Sequence, residues 1–130
     1  MSVKFAIEKF MIRLYLRYFS YIIYFLTRLY ISTLRPRTFT PHTLLIIKPD
    51  AAGDYILMRN FLHSIRTSKR FEGYQITFLG NAVYRNLAMH FDEAEIDEFI
   101  WINKTRIYWN LPYYMRLAKQ IFQRYEVTIQ

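Results

Sequence analysis

Apolar and polar residues follow two different rhythms along the chain, and the rhythm changes near Pro36 to Pro41. Beyond that point the pattern is one of short strands and amphipathic helices. Thr43–Lys48 (TLLIIK) is a nearly continuous apolar run, as expected of a strand buried in a parallel sheet. Pro49 and Gly53 punctuate the loop that follows, and Asp54–Ser68 carries helical spacing at Leu57, Phe61, Leu62 and Ile65. Gly73 precedes a second strand, Tyr74–Leu79, in which Ile76 and Phe78 alternate with Gln75 and Thr77. Asn81 is a natural cap for a helix over Ala82–Phe91. The acidic stretch Asp92–Asp97 leads into a third strand, Glu98–Ile102. Leu111–Arg124 reads as a third helix with Pro112 in its first turn, and Tyr125–Ile129 as a fourth strand. Strands alternating with helices through short connections predict an α/β fold, a parallel sheet with flanking helices.

Before the break the rhythm is that of a long helix. Between Arg17 and Arg28 lie ten uncharged residues, YFSYIIYFLT. A membrane-spanning helix needs about 20, and no small-residue cleavage site follows, as a signal peptide would require. At roughly 100° per residue, Lys9, Arg13, Arg17, Arg28 and Arg35 share one side with Ser20, Tyr24 and Thr27. Met11, Tyr15, Ile22 and Leu29 point away from it. The result is one helix, or two with a break, with a cationic stripe and a broad apolar-aromatic face. That combination suits the headgroup region of an anionic membrane. Tyrosine fits there because its ring is apolar and its hydroxyl stays wet. The alternative is an arm that packs on protein. Nucleic acid is not expected as a partner, since its backbone calls for basic residues spread along a groove.

Composition sharpens this division. The chain has 130 residues, a formal charge of +8 and no cysteine, so a disulfide scaffold and thiolate metal sites are excluded. Residues 1–40 carry seven basic side chains against Glu8 alone, which puts +6 of the charge in the arm. The expected organisation is a basic, aromatic, amphipathic helical arm over 1–40 and an α/β domain over 41–130. The last strand runs into Gln130 with no helix to return, which leads to the expectation of a truncated domain.

In open α/β sheets ligands bind beyond the carboxyl ends of the strands. The segment Lys48-Pro49-Asp50-Ala51-Ala52-Gly53-Asp54 joins the first strand to the first helix. Small residues there let a substrate approach the backbone, and a helix N-terminus favours anions. It matches neither a P-loop nor a three-glycine dinucleotide fingerprint. Asp54 fits two roles by its location, helix cap or general base.

The stretch LLIIKPDAAGDYILMRNFLHSIRTS, followed by YQITFLGN and DEFIWIN, resembles glycosyltransferase family nine, the lipopolysaccharide heptosyltransferase-like group. The matching features are an apolar strand, the basic Lys48, a small-residue loop, Gly53-Asp54, a helix ending at Ser64-Ile65-Arg66, and Tyr125–Ile129 in place of a "YDVVI" strand. The resemblance spans about residues 42–130 and leaves the arm out. It implies the Rossmann-like, acceptor-side half of a GT-B type fold. The implied activity is inverting sugar transfer to a lipid-linked, lipopolysaccharide-type saccharide. The donor, ADP-heptose or a similar sugar nucleotide, would sit in a C-terminal domain, and no other cofactor is implied. Asp54 would be the catalytic base, with Lys48, Gly53 and Arg59 at the acceptor. Arg13, Arg17, Arg28 and Arg35 would hold the protein, as a peripheral one, on the inner face of the cytoplasmic membrane. The chain departs from the family at Arg59-Asn60, where many members carry a Leu-Pro pair, and the isolated chain would be inactive without its donor half. Lys48 and Arg59 also suit purely solvated positions. The rival is a non-catalytic, truncated α/β protein that binds membrane or a partner.

Other candidates carry less. His42, His63 and His90 lack paired metal spacing, and His90 is expected near the core. The acids Asp92, Glu93, Glu95, Asp97 and Glu98 read as a solvated loop. Trp101, Trp109, Tyr113 and Tyr114 suit packing better than sugar stacking.

Overall fold

The computed structural model describes residues 3–33, 39–122 and 124–130, with the backbone alone at 3–8, 16, 108 and 109. The arm is one unbroken helix, α1 (Val3–Thr33). Arg35, assigned to its cationic stripe, lies outside the described residues. The remainder alternates β1 (Thr40–Lys48), α2 (Ala52–Arg66), β2 (Gln75–Asn81), α3 (Arg85–Phe91), β3 (Glu98–Ile102), α4 (Lys104–Trp109), α5 (Leu111–Ile121) and β4 (Tyr125–Ile129). Short 3-10 turns at Lys69–Phe71 and Ala82–Tyr84 precede β2 and α3.

The four strands are all parallel, in the order β3-β2-β1-β4. Successive side chains on a strand point to opposite faces, and both faces of this sheet are covered. Leu44, Ile46, Ile76 and Phe78 form one face with Tyr55, Leu62 and Ile65 of α2 and Ala88 of α3. Leu45, Leu79 and Ile100 form the other, under Ile107 of α4 and Leu117 and Ile121 of α5. The run TLLIIK is apolar throughout because β1 is central and roofed on both sides. Gly80 gives β2 its close packing: a Cβ there would stand 2.6 Å from Phe78 Cε1 and 3.0 Å from the Tyr84 hydroxyl.

Three elements differ from the sequence expectation. β1 begins at Thr40, because an irregularity between Thr40 and Leu44 lets the chain keep its pairing with β4. At that bulge His42 takes a positive φ of 57°, and its N–H donates to Glu126 Oε2 at 2.6 Å. The helix expected over Leu111–Arg124 is shorter, and α4 precedes it. Asn103 accepts from the Arg106 N–H and Asn110 from the Tyr113 N–H, so each asparagine starts its own helix. The helix expected from Ala82 opens as a 3-10 turn, with Asn81 accepting from the Val83 N–H.

The acidic stretch is not a solvated loop. Arg59, His63 and Arg66 fall on one face of α2, at i, i+4 and i+7. They meet Asp92, Glu95 and Asp97 at 2.9, 2.8 and 2.9 Å. Asp92 is buried; it takes two bonds from the Arg59 guanidinium and a third from the Tyr55 hydroxyl. Burial, then the bond to Asp92, raise the Tyr55 pKa well above its ordinary value, so the phenol stays a donor. Burial works against the ionised form of Asp97, but Arg66 and the Ile76 N–H outweigh it and hold this carboxyl below its usual range. His90, expected near the core, is exposed beside Phe91.

Candidate functional site

The strand order reverses between β1 and β4, and in open α/β sheets that is where a ligand crevice forms. The chain brings the segment 48–54 to this point, since β1 ends at Lys48 and α2 begins at Ala52. Lys48 Nζ lies 2.8 Å from Asp50 Oδ2. The bond between them raises the Lys48 pKa and lowers that of Asp50, so both stay charged. Asp54 adds to the field that favours the ammonium of Lys48, and Lys104, at the start of α4, acts in the same sense on Asp50.

Asp54 is not the cap of α2. The cap position belongs to Ala51, which offers no side-chain acceptor, and Asp54 stands within the first turn. It is exposed there, and among the described residues no hydrogen bond or ion pair engages its carboxylate. A negative charge in this turn is stabilised by the helix dipole. Gly53 beside it is equally free of structural duty. A Cβ at this position would meet nothing within 4 Å, and the backbone is not in the left-handed region. Neither packing nor conformation requires glycine there.

The loop itself is tied down from β2 and the turn after it. The Tyr84 hydroxyl donates to the Lys48 carbonyl, and Asn81 Nδ2 reaches the carbonyls of Pro49 and Asp50 at 3.4 and 3.5 Å. Tyr84 in turn stacks on Tyr55, ring centroids 4.5 Å apart and nearly coplanar in orientation. The junction is therefore held rigid by groups behind it, and its small residues and charges are left facing out. Tyr84, Asn81 in this anchoring role, and Lys104 were not among the sequence candidates. The signal that finds them is position at the carboxyl end of a neighbouring strand.

Arg59 has a partner within the protein. Its guanidinium is committed to Asp92 and lies 4.5 Å over the Phe91 ring, so its visible role is to fasten α3 to α2. The aromatic residues divide similarly. Trp101 stacks on Phe99 and meets Phe78 and Tyr84 edge-on within the packing, and the Tyr113 hydroxyl accepts from the Asn103 N–H. No group of three or more potential metal ligands occurs among the described residues. An open hollow of about 830 Å³ lies at the opposite end of the sheet, lined by Arg66, Lys69, Tyr74 and Gln75. Its location at the amino ends of the strands sets it apart from the junction chemistry.

Fold and junction together define the class: an open, parallel, doubly covered α/β unit with charged groups at its point of strand reversal. No protein-family model matches the chain, and no curated protein or solved structure does either.

Proposed function

We propose that residues 41–130 form the acceptor-side, Rossmann-like unit of an inverting glycosyltransferase of the GT-B type, similar to the lipopolysaccharide heptosyltransferases. Its acceptor is a lipid-linked saccharide at the inner face of the cytoplasmic membrane. Its donor is a sugar nucleotide, ADP-heptose or similar, held by a second, facing domain. The observation that carries this reading is a pair of residues without structural duty at the strand reversal: Gly53, which no packing or backbone requirement explains, and Asp54, whose carboxylate has no bonded partner among the described residues.

The chemistry follows from their positions. The Asp54 carboxylate takes the proton of the acceptor hydroxyl while that oxygen attacks the anomeric carbon. The bond from that carbon to the donor diphosphate breaks on the opposite side, and its electron pair leaves with the nucleoside diphosphate. A single displacement inverts the centre and needs no covalent enzyme intermediate. Gly53 leaves room for the saccharide against the helix start, and an acceptor phosphate or carboxylate takes the Lys48 ammonium in competition with Asp50.

Asp54→Asn, in the protein joined to its donor-binding domain, tests the base. Transfer from ADP-heptose to a phosphorylated inner-core saccharide is expected to fall by about 10²- to 10⁴-fold while saccharide binding persists. Unaltered turnover removes Asp54 from the chemistry. Saccharide binding without turnover in the joined protein that keeps Asp54 favours a binding protein over an enzyme.

A further inference from the structure

Helix α1 meets the α/β unit on one side only. Thr27 is buried, with its hydroxyl 3.5 Å from Met115 Sδ of α5. Ile23, Tyr30 and Ile31, on the same side, are half-buried. This contact fixes the rotation of α1 about its axis. At roughly 100° per residue, Met11, Tyr18, Ile22, Phe25 and Leu29 lie within about 40° of the direction opposite Thr27. Each of the five is more than half exposed. Between Met11 and Leu29 the helix thus turns a hydroxyl toward the protein and a charge-free apolar strip toward the outside, over a length of about 27 Å.

Arg17 and Arg28 stand about 80–100° from the middle of that strip, on one flank, with Arg13 beyond them; all three are exposed. A second copy of the arm is a poor cover for such a face. Seven basic side chains in residues 1–40 would find one acid, Glu8, in each partner. Anionic headgroups supply the missing countercharge, and acyl chains take the apolar strip. The helix does not cross: no helix among the described residues is long and apolar enough to span a membrane.

We infer that the face of α1 opposite Thr27 is a bilayer-docking surface. Met11, Tyr18, Ile22, Phe25 and Leu29 enter the acyl boundary, while Arg13, Arg17 and Arg28 reach up to anionic headgroups. The α/β unit, fastened through Thr27 and Met115, is carried on the water side. The inference rests on the arm's surface alone and stands or falls separately from sugar transfer.

The absence of cysteine gives the test a clean design. Ile22→Cys, Leu29→Cys and Ser20→Cys, in the whole chain, each give one site for an environment-sensitive fluorophore. Ser20 is exposed and lies within about 20° of the Thr27 direction. With phosphatidylcholine vesicles containing phosphatidylglycerol, probes at 22 and 29 are expected to brighten and shift to the blue, while the probe at 20 stays as in water. Removing phosphatidylglycerol, or reversing Arg13, Arg17 and Arg28 to glutamate, should weaken vesicle binding at least about tenfold. Equal responses at 20 and 22, or none at any site, overturn the inference. A lipid-free shift that grows with protein concentration also overturns it, in favour of a second copy.

Discussion

The two regions of this molecule handle apolar surface in opposite ways. In the α/β unit, α2 buries Tyr55, Leu62 and Ile65 against the sheet and spends its charged face on Asp92, Glu95 and Asp97. In the arm, α1 buries a threonine and exposes Ile22, Phe25 and Leu29. A helix stabilised by its own protein turns its apolar stripe inward. One that turns it outward finds its stabilisation elsewhere. The same residue type is therefore packed in one region and exposed in the other, and exposure relative to a fixed contact is what separates the two cases.

Truncating one leucine in each region is the sharpest way to break this comparison. Leu62→Ala should cost about 2–5 kcal/mol of stability, because it empties a fully buried site. Leu29→Ala should move stability by less than about 0.5 kcal/mol while weakening attachment to anionic vesicles. Urea melts with and without vesicles read both effects. Equal destabilisation would mean that the outward strip is packed within the protein after all.

A smaller effect sharpens the account of the α2 charges. The carboxyl of Asp97 has a depressed pKa, so its ionised form favours the folded state. That contribution is full above the unfolded value of about 4 and is lost as pH falls through the lower, folded value. Asp97→Asn should then reduce stability at neutral pH by about 1 kcal/mol, a figure discounted for a partly exposed pair. It should also flatten the acid limb of the stability profile below about pH 4. A variant with an unchanged acid limb would show that Arg66 holds the strand through Tyr74 rather than through this carboxylate.

How far the fold was legible follows the same physics. Glu98–Ile102 and Tyr125–Ile129 stand where the sequence put them, the first with Ile100 and Ile102 buried and the second as a half-exposed edge strand in which Tyr125, Val127 and Ile129 alternate with exposed residues. The sheet's parallel sense was likewise written in the alternation of strand and helix. The start of β1 was not, because Pro41 and His42 are exposed and enter through a bulge that pairing with Glu126 supports. The start of α4 was available in Asn103, which caps it as Asn110 caps α5, but no helix was expected over its six residues. The acidic stretch misled because its partners lie 31 to 33 residues earlier, on a helix face whose i, i+4, i+7 basic spacing gains meaning only once α3 folds back. At the candidate site the location was legible from Lys48 to Asp54. The groups that hold it, Tyr84 and Asn81, were hidden because they come from the neighbouring strand end.

The most direct test of the central claim, that this junction receives the acceptor, is a substitution that leaves the fold alone. Gly53→Ala adds a methyl group into open space in the first turn of α2, so thermal stability should hold or rise by up to about 0.5 kcal/mol. Titration of a phosphorylated inner-core saccharide into the same protein should show binding about tenfold weaker or more, since the methyl group takes the space through which the sugar meets the helix start. An unchanged melt with weakened binding is the predicted outcome. An unchanged melt with unchanged binding would contradict the account and place the acceptor elsewhere.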